Sequence, residues 1–247
     1  MKEIQMKKTV LLIITAAFCT SAGWFECYNF KGFIGKYPIT LSIQILDGFH
    51  GESNKKDFNV FGIYKYDKFN NPIGLSGKYD RATGRVELYE GGAQFAFSFS
   101  KTKTSGTWVS SVQKKELPLS LTFKDELIDT FNIYKDTTAA LPGPVEIIMD
   151  AATEMTYFVG VYDFNFPKYS YSRAMLLSLD IYDKKSNKLL QKLEVPERAG
   201  NISTIIYHNA WLTDENQLRV TLDEGRIGTE IVYDYDSLSN RYERYEE

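Results

Sequence analysis

Residues 58–123 alternate apolar and polar side chains in short runs that Gly, Asn and Asp interrupt at regular intervals. The runs include Phe58-Asn59-Val60-Phe61-Gly62-Ile63-Tyr64-Lys65-Tyr66, Gly84-Arg85-Val86-Glu87-Leu88-Tyr89-Glu90, Gln94-Phe95-Ala96-Phe97-Ser98 and Leu117-Pro118-Leu119-Ser120-Leu121-Thr122-Phe123. Successive side chains of a strand point to opposite faces, whereas a helix needs apolar spacing near a period of about 3.6 residues. The breaks at 67–72, 80–85 and Gly91-Gly92 are short, so the strands they join are expected to be antiparallel neighbours. Tyr (17) and Phe (16) far outnumber Trp (3), a balance that suits a pleated, half-buried surface. The pattern predicts an all-β fold of antiparallel meanders.

The same signal extends in both directions. Residues 38–45 place Ile39, Leu41, Ile43 and Ile45 against Thr40, Ser42 and Gln44 without a break, which predicts a strand with one face to the core and one to water. Residues 30–34, 145–149, 156–164, 174–183, 189–195, 202–211, 217–222 and 227–235 read as further strands. The charged end, 241–247, either completes a last strand or frays. Pro142-Gly143-Pro144 can continue neither strand nor helix. We therefore divide the chain into a leader (1–22), an N-terminal β-meander module (23–136), a linker (137–144) and a C-terminal β module (145–247). Barrel, sandwich and propeller-like arrangements all remain compatible with two such β-rich halves. Little helix is expected beyond the leader, with 139–141 or 145–155 supplying at most a turn or two.

The leader has the features of a secretory signal peptide. Lys2, Lys7 and Lys8 precede an apolar run at 10–18, and Thr20-Ser21-Ala22 offers small residues for cleavage. The run is shorter than the roughly 20 residues that span a bilayer, so export to the periplasm or exterior is expected, with no integral membrane segment after cleavage. Cys19 would be the attachment point of a lipoprotein, but such a site follows a small residue and Phe18 stands there. Lipid anchoring through Cys19 is accordingly the less favoured reading. Cys27 would then be the single cysteine of the mature chain, either buried or a source of dimers. The chain carries a net charge of −3; the leader's three lysines and Glu3 contribute +2, leaving −5. That balance lacks the clustered positive charge that nucleic acid or an anionic membrane demands.

Catalytic and metal motifs are sparse. Only His50 and His208 could act as imidazole bases, and no Gly-x-Ser-x-Gly elbow or phosphate-cradling glycine loop occurs. One cysteine and two distant histidines do not make a zinc spacing. Glu87 and Glu90 flank Tyr89; alternation puts Glu87 on the Tyr89 face and Glu90 on the other, as expected of a solvated strand edge. Asn201-Ile202-Ser203 matches a glycosylation sequon, which matters only in a eukaryotic secretory pathway. Asp163 and Asn165 occupy the first positions of a calcium-like loop, but Pro167, Lys168 and Tyr171 replace the remaining ligands. We expect that degenerate loop to hold no calcium, and the chain to need no metal or cofactor.

Several pieces carry a family resemblance: Phe33-Ile34-Gly35-Lys36-Tyr37-Pro38-Ile39, Gly62-Ile63-Tyr64-Lys65-Tyr66, Ile73-Gly74-Leu75-Ser76-Gly77, Leu88-Tyr89-Glu90, Gly106-Thr107-Trp108 and Leu117-Pro118-Leu119. They resemble exported bacterial β-propeller-like proteins related to periplasmic immunity proteins that inhibit lysozyme-type secretion-system toxins. Asp163-Phe164-Asn165-Phe166 is similar to the Asp-x-Asn-Phe-Asp-Gly motif found in such proteins. The resemblance implies a non-catalytic binding protein whose partner is a lysozyme-like cell-wall hydrolase. Residues 47–57, with His50 and Glu52, form the longest polar loop of the first half and are the candidate contact. A cell-envelope structural module that binds glycan or protein through Tyr-rich faces is the alternative. A carboxylate-based glycosidase, with two acids facing one cleft, is a second alternative.

Overall fold

The computed structural model describes residues 23–46, 59–130, 143–164, 174–200, 205–222 and 229–245. The leader with Cys19, the loop bearing His50 and Glu52, most of the linker (137–142), Asn165, the Pro167–Lys168–Tyr171 segment and the sequon all lie outside the described residues. The fold is almost entirely β-structure in antiparallel meanders, with no α-helix among the described residues.

The first eight strands close into a barrel: β1 (Gly23–Ile34), β2 (Tyr37–Ile45), β3 (Val60–Tyr66), β4 (Ile73–Asp80), β5 (Arg85–Glu90), β6 (Ala93–Ser98), β7 (Lys103–Ser110) and β8 (Lys115–Thr130). Each pairs with the next, and β8 returns to β1, so Phe30 lies between Leu41 and Phe123. Of the arrangements the sequence left open, the first half takes the barrel. Alternation explains its filling. Ile39, Leu41, Ile43 and Ile45 are at most 1% exposed and meet Phe30, Tyr64, Leu88, Phe95 and Trp108 from the other strands. An eight-stranded barrel is just wide enough for side chains to fill. Edge-to-face rings such as Tyr64 against Phe95 (5.0 Å) add packing beyond buried area.

Closure needs strands that bend sharply, and glycines such as Gly77 and Gly106 supply the room. A Cβ on Gly77 would lie 1.9 Å from the Glu87 carbonyl oxygen, and one on Gly106 2.1 Å from that of Ala96. Glycine inside a strand marks such close backbone approach at a barrel corner.

The second half forms two four-stranded sheets. One has the order β12 (Leu189–Gly200), β11 (Ala174–Asp183), β10 (Thr156–Phe164), β9 (Val145–Ala152). The other runs β13 (Ala210–Leu212), β14 (Leu218–Leu222), β15 (Thr229–Asp236), β16 (Arg241–Arg244). They pack against each other through one cluster that includes Phe158, Leu179, Val220, Ile231 and Tyr242. Gln191 of β12 clasps the outer edge of β16: its Nε2 donates to the Tyr242 carbonyl (2.8 Å) and its Oε1 accepts from the Tyr242 amide (2.9 Å). A side-chain amide thus occupies backbone groups that an edge strand would leave open.

Three local expectations need correction. The far end of the polar face of 38–45 does not meet water: Ser42 is 2% exposed and Gln44 fully buried, because the second half covers the outside of β1–β3 there, while Thr40 stays partly exposed. Gln44 Oε1 accepts from the Ile206 amide (2.9 Å), and Ser42 Oγ meets the Tyr207 phenol (3.3 Å) and Cys27 Sγ (3.3 Å). Residues 145–155 form no helical turn; Val145–Ala152 is a strand whose alternate residues enter the core. Within the described part of 202–211, a 3-10 turn (Ile206–His208) precedes the strand, which begins only at Ala210, since Ile206 and Tyr207 are both buried against the barrel while alternation would send one outward.

A second clasp joins the halves at a hairpin. Asn70, with φ 52°, accepts from the Lys65 ammonium and donates to the Lys184 carbonyl (2.9 Å). Lys65 is itself buried beside the Tyr157 ring (5.1 Å), and burial, only partly countered by Asp67, lowers its pKa.

Candidate functional site

Of the residues singled out in the sequence, those among the described residues sit on separate elements: Asp163 on β10, Glu87 and Glu90 on β5, and His208 in the 3-10 turn. Asp163 sits half-buried on β10 opposite Met175. Among the described residues no group of three His, Cys, Asp or Glu side chains is arranged to hold a metal. Glu87 and Glu90 do take opposite faces. Glu87 accepts from Arg85 Nε (2.7 Å) and the Tyr89 phenol (3.1 Å) outside the barrel. Glu90 accepts the phenol of buried Tyr64 (2.6 Å); burial first, and then this carboxylate, drive the Tyr64 pKa far up and keep that hydroxyl a donor. Glu90 is therefore a partner of the barrel core rather than a solvated edge group.

His208 ends the 3-10 turn and lies 3.6 Å from Asp150 Oδ2, beside a cleft of about 210 Å³ lined by Gly74, Ser76, Asp150, Tyr207 and His208. Both partners are about half exposed. A catalytic imidazole is normally oriented by a buried carboxylate, and Asp150 does not provide one. The pair is a surface contact between β9 and the turn.

An organised outward surface among the described residues is the sheet β13–β16. Its inner face is fixed by the core: Leu218, Val220, Ile231 and Tyr233 are no more than 4% exposed. Strand alternation then forces the intervening residues outward. Register aligns Trp211 with Arg219 and Arg219 with Val232. The Tyr245 amide donates to the Val232 carbonyl (2.8 Å), which continues the line past β16. The result is a transverse row, Trp211–Arg219–Val232–Tyr245, with an exposed aromatic ring at each end (39% and 52%).

The row is held in place by polar neighbours. Trp211 Nε1 donates to Glu230 Oε1 (3.2 Å), and the Arg219 guanidinium lies 5.4 Å from the indole centroid. Arg219 Nη1 donates to Glu230 Oε2 (3.1 Å) and Nη2 to Gln217 Oε1 (3.4 Å), while Gln217 Nε2 donates to Asp234 Oδ1 (2.9 Å). One carboxylate thus orients both the indole and the guanidinium, and the cation over the ring adds attraction. Behind the row, burial and then nearby Tyr235 push the Tyr242 phenol up to about 12, so it is neutral at physiological pH. Tryptophan, arginine and tyrosine are the side chains that most often carry binding energy at protein interfaces, above all when they are rigid before contact.

Sequence reading looked for a contact in loops and missed this face. Trp211 and Arg219 were visible as strand residues, but only the pairing register places them side by side. In comparisons with known proteins, the sequence matches no protein-family model and no curated protein.

Proposed function

We propose that this chain is an exported, non-catalytic binding protein that engages a protein partner through the outward face of β13–β16, and that the partner is a lysozyme-like cell-wall hydrolase which it inhibits. The observation that carries the binding reading is the Trp211–Arg219–Glu230 constellation: an exposed indole with its orientation fixed on a rigid sheet. Export rests on the leader, and the class of partner on the resemblance in the first half.

The test adds the purified chain to a lysozyme-type hydrolase and follows clearing of a cell-wall suspension alongside direct binding. The intact chain is expected to bind and slow clearing, and Trp211→Ala to weaken binding by about 30-fold or more, the loss typical of a central interface anchor at about 2 kcal/mol. No binding by the intact chain would sink the hydrolase partner; undiminished binding by Trp211→Ala and Arg219→Ala would sink the proposed face.

The envelope-module alternative needs exposed tyrosines gathered on one sheet. Among the described residues, the four that are two-fifths exposed or more divide between the barrel (Tyr37, Tyr89) and the last sheet region (Tyr235, Tyr245). The glycosidase alternative needs two carboxylates in one cleft about 5–10 Å apart. Among the described residues, the His208 cleft has one, Asp150, and the groove on the barrel wall has one, Asp67.

A further inference from the structure

We propose that the outer wall of the barrel carries a second, separate binding site, for an acidic glycan, in the groove crossing β2, β1, β8 and β7. The groove encloses about 770 Å³ and is lined by Lys31, Phe33, Lys103, Ser105, Ser120 and Thr122. That volume falls within the range of sites that hold small ligands, about 300–1,000 Å³.

Register again determines which side chains meet. Lys103 pairs with Thr122, Thr122 with Lys31, Lys31 with Thr40 and Thr40 with Lys65. Lysine and threonine therefore alternate across five adjacent strands. The next row is Ser105, Ser120, Phe33 and Pro38. Interior residues such as Leu121 and Ile39 are buried, so these two rows point outward.

The two ends of the lysine row have different roles. Lys65 is buried against the second half and lies 3.5 Å from Asp67, whose carboxylate also accepts from Thr40 Oγ1 (2.8 Å). Asp67, the one acid lining the groove among the described residues, is thereby committed to Lys65 and Thr40. Lys31 and Lys103 are exposed and make no ion pair among the described residues. They flank Thr122 at a separation of two strand spacings, about 10 Å. In a protein of net charge −3, this is a local cationic pair on a polar floor.

The chemistry favours a sugar polymer over a peptide. Every strand beneath the groove is paired on both sides, because the barrel is closed, so no backbone edge is free to add a peptide strand. Recognition has to come from side chains. The floor supplies hydroxyls, which exchange hydrogen bonds with sugar hydroxyls. Phe33, 49% exposed at the rim, offers an apolar ring on which a pyranose face can stack. Two cations separated by about the length of a disaccharide suit a glycan with one carboxylate per disaccharide. Because this face does not include Trp211, its success or failure is independent of the hydrolase reading.

The experiment measures mobility of the purified chain through native gels containing hyaluronan, dextran or poly-glutamate, with titration calorimetry on hyaluronan oligosaccharides. Hyaluronan is expected to retard the chain, dextran not, and retardation to weaken as salt rises. Lys31→Gln combined with Lys103→Gln should weaken hyaluronan binding roughly tenfold, the loss expected of two exposed charge contacts, with an unchanged melting temperature. Phe33→Ala, which leaves all charge in place, should weaken it as well. Failure of hyaluronan to bind, undiminished binding by the double variant, or equal retardation by poly-glutamate with no effect of Phe33→Ala would overturn the proposal.

Discussion

Cys27 offers a quantitative test of how the barrel meets the second half. Its thiol is fully buried, 3.3 Å from the Ser42 hydroxyl and 3.8 Å from the Tyr207 phenol. Burial is the largest influence on it and raises its pKa from 9.0 to about 11, with the two hydrogen bonds pulling less strongly the other way. A thiol with a raised folded pKa keeps its proton in the native state after the unfolded chain has lost it. The contribution to stability is therefore intact below pH 9 and falls as pH climbs from 9 towards 11. Two pKa units at about 1.4 kcal/mol each, less the part not yet reached, give a loss of about 2 kcal/mol between pH 8 and pH 10.5. The assay is urea unfolding across that range, under reductant, for the intact chain and for Cys27→Ala. Lysines and buried tyrosines titrate in both proteins and largely cancel in the difference. At pH 8 the alanine variant should be less stable by about 1–2 kcal/mol, from the lost packing of a buried atom. The gap should close by pH 10.5. Parallel pH profiles for the two proteins would refute the assignment of a buried neutral thiol to this junction. So would modification of Cys27 by a disulfide reagent at pH 8 at the rate of a free thiol.

Two further outcomes follow from the backbone. Gly77→Ala forces a Cβ to within 1.9 Å of the Glu87 carbonyl oxygen and should cost about 3 kcal/mol or more in thermal or urea unfolding. Gly91→Ala, where a Cβ meets nothing within 4 Å, should stay within about 0.5 kcal/mol. Asn70→Ala removes the bridge between Lys65 and the Lys184 carbonyl and strains a backbone held at φ 52°, for a loss of about 2–3 kcal/mol. Asn70→Gly should recover about 1 kcal/mol of that, since glycine carries no left-handed penalty; a glycine variant less stable than the alanine one would count against the strain argument.

Much of the architecture could be read from local pattern, because a meander is a local structure. Alternation identified the inward residues of β2, and the short breaks at 67–72 and Gly91-Gly92 identified which strands are neighbours. What alternation reports, however, is only that two faces differ. It cannot say what covers the second face. Ser42 and Gln44 read as water-facing because they are polar, yet they are buried by Ile206 and Tyr207, which lie far along the chain. A polar residue with its hydrogen bonds satisfied by a distant partner carries the same letter as one satisfied by water. The strand expected over 202–211 gives way to a turn at Ile206–His208 for the same reason: Ile206 and Tyr207 are buried by contact with the barrel rather than by pairing within a sheet, which starts at Ala210.

The candidate binding faces escaped the sequence for a related but distinct reason. A loop is contiguous, so a polar loop such as the one with His50 and Glu52 attracts notice by composition alone. A sheet face is assembled across strands, one residue from each. Trp211, Arg219, Val232 and Tyr245 belong to a row only once three pairings are known. Lys31 and Lys103 are brought to either side of Thr122 by the pairing of β1 with β8, the one contact of the barrel that no hairpin encodes. Closure of the barrel and formation of the groove are thus the same event. A variant that kept every hairpin but prevented β1 from joining β8 would retain strand content while losing the paired lysines, so the proposed glycan site should vanish with closure rather than with secondary structure.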